Sequence, residues 1–540
     1  MFSTRLVAAS KDKEKRTMKP RALTRRDALK LAGTGVAATA LSGATVRQAV
    51  AQDATPASTA SGELTIGKAQ EAVGLDPALI TAAASFQIIA PVYDQLVSFD
   101  ADNQPQPSLA ESWETPDDTT FVFTLREGVT FHNGRALTAE DVKYSLERIA
   151  NPDTKSPWAS QLEPITAIEA LDDRTVQMTL SEPYGPLLAT LSSGWAAIVP
   201  QEEVETSGDL QATMVGTGPF ALTEYTADTR TVMSAFGGYW ESGLPELGTL
   251  TWSILPDESS RLAAIRTGEI GLTTLADAAS VELAGQSEGV QVINQETTDY
   301  YLLGLNTQEA PFDNVAVRQA ISLAVDRQAI MDTVFFGNGS VTGPIVPTLG
   351  DWATPVDQLP LYSRDLDRAK ELLAEAGLED GFTMSIVASP LYPEFINIAL
   401  VIQQQLQEVG ITVELDQVEW GTFIDRWVAR DFQSFVSFNG SGNDPDRALY
   451  PTLHTGGSVN AFQFSDEAID SLLEQGRTTL DPAQRQEIYR EAEQKIAEAV
   501  PAIFVSTRLA YFAHRDDVTG FEPNPIDTWD TLKQTTVSGS

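Results

Sequence analysis

Residues 108–146 read SLAESWETPDDTTFVFTLREGVTFHNGRALTAEDVKYSL. Within this stretch Phe121, Phe123 and Leu125 recur at every second place, the pattern of a strand with one face in a core. Residues 126–134 (REGVTFHNG) carry Gly128, Asn133 and Gly134 and read as a short strand between turns. Residues 138–141 (TAED) resemble a capping box with Asp in the last place. The helix they open puts Val142, Leu146 and Ile149 on one face. Farther along, Ala369, Leu372, Leu373 and Ala376 fall at helical spacing and Gly377 follows as a stop. Ile398, Val401, Ile402, Leu406 and Val409 repeat the pattern up to Gly410, after which Ile411, Val413 and Leu415 alternate. A helix that feeds directly into a strand is the joint of a βαβ unit, so the chain reads as α/β.

The chain has 540 residues, of which 42% are apolar and 8% aromatic, which suits a folded protein. Single cores stop growing near roughly 250–300 residues, so at least two lobes are expected. Cysteine is absent, which excludes disulfides, thiolate metal sites, a Cys nucleophile and a lipid anchor on a cleaved Cys. His132, His454 and His514 are the only histidines and lack metal-ligand spacing. No G-x-S-x-G, H-E-x-x-H or phosphate-binding glycine loop is present, so an enzyme is not expected. No cofactor and no metal are expected either.

The formal charge of -39 is unevenly spread: residues 1–52 hold 11 Lys and Arg against 3 Asp and Glu, and the remainder holds 25 against 72. So acidic a body repels nucleic acid and anionic membrane. The basic N-terminus reads as an export signal. Residues 24–30 (TRRDALK) resemble a twin-arginine motif on Arg25 and Arg26, although Ala28 replaces the usual bulky apolar residue. A weakly apolar, glycine-diluted run follows to Val46, and Arg47 disfavours the general secretory route. Ala49-Val50-Ala51 fits a cleavage site, and Met18 is an alternative start. These features give a signal over 1–51 and a flexible tether over 52–62.

The words of the mature chain resemble the family 5 extracellular solute-binding proteins, which serve peptide, nickel and opine ABC importers. Residues 108–146 carry the resemblance most clearly. Further words are 216–220 (GTGPF), Tyr239-Trp240, 261–270 (RLAAIRTGEI), Asn306-Thr307, 311–330 (PFDNVAVRQAISLAVDRQAI), 362–377 and 398–415. Together they span roughly residues 63–535. The resemblance implies a type II periplasmic binding protein of the cluster C type, with two hinged lobes and an inserted extra domain. Lobe one would comprise 63–90, 213–297 and 508–540, the inserted domain 91–212 and lobe two 298–507. It also implies a monomer that captures a peptide or related small solute between the lobes and delivers it to a permease with its ATPase. Without a Cys anchor, the expected location is the periplasm, with an uncleaved signal anchor as the alternative. The same scaffold could carry an opine, an oligosaccharide or a metal chelate, or present its ligand to a sensor.

In the family's peptide binders a tryptophan, followed three places on by an aspartate that holds the α-amino group, precedes a D-P element. Here residues 438–446 read FNGSGNDPD: Asp444-Pro445 fits, Phe438 takes the aromatic place, Asn439 follows it, and Ser441 stands at the amine position. An arginine that holds a dipeptide's carboxylate is replaced by Ser389. A neutral hydroxyl is a poor partner for a buried ammonium, so both departures count against a free dipeptide. Asp444 or Asp446 is the alternative source of charge. Trp420 matches a position lining the side-chain pocket. Tyr300 and Tyr301 open a strand near the hinge, Tyr392 follows Pro390, and Gln70 and Glu71 lie in the first loop after a strand. For Trp420, ligand contact and core packing stand as the two readings; one of Tyr300 and Tyr301, with Tyr392, Gln70 and Glu71, are further candidate ligand contacts.

Overall fold

Thr120–Leu125 forms the expected strand, with Phe121, Phe123 and Leu125 all buried. The helix Ala139–Ala150 follows, and its capping box closes in both directions between Thr138 and Asp141. Val142, Leu146 and Ile149 are the face this helix buries. These elements belong to a four-stranded antiparallel sheet in the order Ala110–Asp117, Thr120–Leu125, Thr175–Leu180, Ile165–Asp172. The structure, a computed structural model, describes residues 60–539 except 102, 212 and 527. Arg25, Arg26, the cleavage site and nearly all of the tether lie outside the described residues.

The main sheet has ten strands. Its order is Ile411–Gln417, Phe382–Ala388, Ser434–Gly440, Val290–Leu305, Ala502–Arg515, Leu272–Leu275, Glu63–Lys68, Thr249–Ile254, Arg230–Ala235, Phe220–Thr226. Two long strands, Val290–Leu305 and Ala502–Arg515, run antiparallel at its centre, from Val290 opposite Arg515 to Gly304 opposite Ala502. One end of this ribbon joins Leu272–Leu275 and the other joins Ser434–Gly440. The ribbon therefore carries one sheet across both lobes, as expected for a hinge of crossing strands. Its register shifts between Glu296 and Tyr300 and again between Tyr301 and Leu302.

In the second lobe the sheet is covered on both faces. Tyr301, Leu303 and Leu305 pack with the helices Val315–Ala324, Leu366–Glu375 and Pro393–Gln407. Tyr300, Leu302 and Phe504 pack on the other side with Pro445–Leu453, Glu467–Thr478 and Pro482–Ala499. The strand Phe382–Ala388, the helix Pro393–Gln407 and the strand Ile411–Gln417 form the expected βαβ unit, its strands parallel. Gly377 and Gly410 both hold positive φ at the ends of their helices, as their stop positions require. Among the described residues no helix is long and apolar enough to cross a membrane.

The word at 311–330 is structural. Asn314 and Asp326 cap successive helices, accepting from Ala316 N and Ala329 N. Arg318 is buried and donates to the carbonyls of Ala499, Val500 and Phe312 at 2.7–3.0 Å. Arg327 does the same for Phe504 O at 2.9 Å and Ser322, beneath the Tyr362 ring. Asp326 and Arg327 thus have separate tasks. Burial pulls the Arg318 pKa down to about 10, with the Asp313 carboxylate pulling the other way. Replacing Arg318 by Met strands these three carbonyls and should cost at least roughly 3 kcal/mol, given about 1–3 kcal/mol for each unsatisfied group. Urea unfolding of Arg318→Met against the parent checks this.

Candidate functional site

In open α/β sheets, ligands collect beyond the carboxyl ends of the strands. Most of the candidate residues lie there. Tyr392 follows Phe382–Ala388 and precedes the helix Pro393–Gln407. Trp420 opens the helix Trp420–Ala429 after Ile411–Gln417, its start fixed by the Glu419 carboxylate accepting from Gly421 N at 2.9 Å. Phe438 and Asn439 end the strand Ser434–Gly440, and Ser441 follows.

Tyr392, Trp420 and Phe438 meet. The Tyr392 ring stands edge-on to Trp420 at 5.2 Å and to Phe438 at 5.5 Å, and all three are half-buried. Trp420 in turn stacks on buried Phe423 at 5.2 Å. Tyr301 lies at the base of this group, 6.3 Å from Phe395, and is buried. Tyr300 points the opposite way, against Phe504 at 5.6 Å, and is 1% exposed. Asn439 hydrogen-bonds the Tyr300 hydroxyl, and burial pushes that hydroxyl up to about 12. Tyr300 and Asn439 therefore sit on the face away from the aromatic group.

Asp444 is engaged within the protein. It caps the helix Pro445–Leu453 by accepting from Asp446 N at 2.9 Å. Both its oxygens also take Arg485, at 2.6 and 2.7 Å, in a pair whose side chains are 7% and 5% exposed. Asp446 takes Arg477 at 2.8 and 3.1 Å. Burial raises the Asp446 carboxyl above its ordinary range, against the pull of Arg477. Neither carboxylate is left over for a ligand's ammonium in this arrangement. Ser441 is fully buried, and its hydroxyl has no hydrogen-bond partner among the described residues. Ser389 is also buried, its hydroxyl 3.4 Å from Leu391 N. Gln70 is exposed, while Glu71 accepts from Ala72 N at 2.7 Å and from Asp228 N at 2.9 Å, tying its loop to a neighbouring turn.

Two charged residues at this place were not singled out from the sequence. Asp299 and Arg508 lie on the two crossing strands, 3.2 Å apart, and Arg508 stands 4.6 Å over the Phe438 ring. Arg508 also donates to the Tyr301 hydroxyl. Burial raises the Asp299 carboxyl, with Arg508 pulling against it. Arg508 as the one charged residue in the run AIFVSTRLAYF was the available signal.

Short polar contacts form a seam between residues 103–193 and residues 443–477. Asn103 donates to Asn443 O at 2.9 Å, Asn443 to Ser192 Oγ at 2.9 Å, Arg447 to Ser193 Oγ at 2.6 Å, and Gly185 N to Arg477 O at 2.8 Å. His132 accepts from Gly216 N through Nδ1 and donates to Gly218 O at 2.9 Å, joining two of the sequence words. His454 pairs with Glu474. Among the described residues no group of three or more His, Asp or Glu could hold a metal ion.

The model of the bacterial extracellular solute-binding proteins, family 5 (middle region), matches residues 104–460. The chain belongs to this family. Family 5 is a family of solute-binding proteins and not of enzymes, and its solved members share the type II binding-protein fold seen here. The dipeptide-binding protein of Escherichia coli (strain K12) is 30% identical over 488 residues, covering 84% of this chain and 90% of that protein. Heme-binding protein A of Haemophilus influenzae is 29% identical, covering 85% and 89%. The structure of AgaA of A. tumefaciens R10 in complex with agropinic acid superposes with a TM-score of 0.74 at 30% identity, covering 89% of this chain and 99% of that one. Three family 5 relatives thus carry names of three unlike ligands.

The geometry separates two neighbouring residues by role. Asp444→Ala leaves Arg485 buried without its partner and should cost about 3–5 kcal/mol. Ser441→Ala removes a hydroxyl that satisfies nothing and should change stability by less than about 1 kcal/mol. Thermal unfolding of the two ligand-free variants checks this contrast.

Proposed function

We propose that this protein captures a peptide or peptide-like solute between its lobes and delivers it to an ABC permease and its ATPase for import. The observation that carries the reading is the aromatic group Tyr392, Trp420 and Phe438, gathered at the strand ends beside the crossing strands. A half-buried aromatic wall takes apolar side chains of varied shape, as a peptide carrier needs. Closure around the ligand would be driven by its greater affinity for the closed form, in which the contacts of Asn443 and Arg447 are made. No step of this cycle requires bond chemistry. Twin-arginine export through Arg25 and Arg26, a periplasmic location and a monomeric state belong to the same reading.

A second reading, a non-peptide solute such as an opine, an oligosaccharide or a metal chelate, is favoured by one feature. Ser441 and Ser389 are both neutral and buried where the peptide binders carry charge. Mass spectrometry of the solute released by mild denaturation, from protein purified without a chelator, distinguishes the two. Peptides at about one per protein are expected. An opine, a glycan or stoichiometric nickel would move the assignment to the second reading. Deletion of the gene should abolish uptake of the recovered solute, and unchanged uptake would overturn the import role in favour of sensing.

A further inference from the structure

The Asp299–Arg508 pair differs from the fully buried ion pairs of the molecule, Asp76–Arg148 and Asp444–Arg485. Asp444 and Arg485 meet through two bonds at 2.6 and 2.7 Å, with side chains 7% and 5% exposed. Asp299 and Arg508 share one bond at 3.2 Å and remain 31% and 37% exposed. A guanidinium has five donors in a fixed fork, and a carboxylate has about four acceptor positions, so most of this pair's capacity is open. The pair is also held in place. Arg508 rests on Phe438, the Tyr301 hydroxyl accepts from it, and Asp299 lies opposite Gly440 on the adjoining strand. A Cβ at Gly440 would fall 2.7 Å from Asp299 Oδ1, so the glycine leaves room for this carboxylate. One residue beyond Gly440, the buried Ser441 hydroxyl lacks a partner among the described residues. Phe438, Tyr392 and Trp420 continue from the pair as an uninterrupted aromatic wall.

We propose that Asp299 and Arg508 together receive the ammonium and carboxylate of one α-amino-acid head group, while the wall of Phe438, Tyr392 and Trp420 takes an apolar group on the same solute. The spacing selects this class. Across a single α-carbon the nitrogen and the carboxyl carbon are about 2.5 Å apart. The termini of an α-linked dipeptide stand roughly 6 Å apart when extended. Two receiving groups in direct contact match the first and not the second. The favoured solute is therefore an amino acid or isopeptide linked through its side chain, with both α-charges free. The assignment deepens the solute-binding reading and rests on it.

Two isomers of equal composition test the assignment: γ-glutamyl-phenylalanine keeps both charges on one carbon, and α-glutamyl-phenylalanine separates them. Titration calorimetry on the full chain should show the γ-isomer binding at least ~10-fold more tightly. Asp299→Asn and Arg508→Gln should each weaken the γ-isomer by about 30-fold or more, because each strands one charge of the head group. Thermal unfolding confirms that the variants are folded, and the wild-type comparison of isomers stands without them. Equal or tighter binding of the α-isomer, or folded variants with unchanged affinity for the γ-isomer, would overturn the assignment. Binding of neither isomer would overturn it too. The wider reading is judged separately, by the solute recovered from purified protein.

Discussion

Backbone hydrogen bonding along the ribbon Val290–Leu305 and Ala502–Arg515 is the constraint from which the rest of this structure follows. Every buried peptide group must be paired, and two strands alone cannot cover their own edges. Each end of the ribbon is completed by a different set of strands, which turns two lobes into one sheet. The register shifts near Tyr300 and Tyr301 are where this continuity relaxes. There Tyr300 and Tyr301 enter cores on opposite faces, and Asp299 and Arg508 remain half-exposed between the lobes. The hinge and the proposed head-group site thus share one cause.

The fold was legible wherever its signals were local. The alternation at Phe121, Phe123 and Leu125 needs only the period of a strand, and the reciprocal cap of Thr138 and Asp141 needs only a spacing of three. The stops at Gly377 and Gly410 depend on φ at single residues. The site was legible in part for the same reason. Trp420 follows a strand, Ile411–Gln417, whose alternation can be read from the sequence, but its meeting with Tyr392 and Phe438 depends on the parallel order of three strands. Periodicity could not tell Tyr300 from Tyr301, because a shift of one residue exchanges the two faces and the bulges lie beside them.

What was not legible is partnership at a distance. Asp444 carries a charge that could serve a ligand until Arg485, on a helix 41 residues later, takes both its oxygens. Asp299 and Arg508 lie 209 residues apart, and only the antiparallel ribbon brings them together. The ligand is harder still to read. The three relatives retain the scaffold while their names carry a dipeptide, heme and agropinic acid. The scaffold words record helix caps and buried arginines, which hold the fold together and do not name a ligand.

The seam contacts of Asn103, Asn443, Ser192 and Ser193 have a consequence for the medium in which this protein works. The body beyond residue 52 carries 72 acidic residues against 25 basic ones, and dissolved ions screen such charges strongly. The hydrogen bonds of Asn103, Asn443 and Arg447 across the seam end on a carbonyl and two hydroxyls, and none of them joins opposite charges. Screening therefore acts on these hydrogen bonds less than it would on ion pairs. Salt then acts on the approach of the two acidic halves, by weakening their mutual repulsion, more than on the contacts that hold them once they meet.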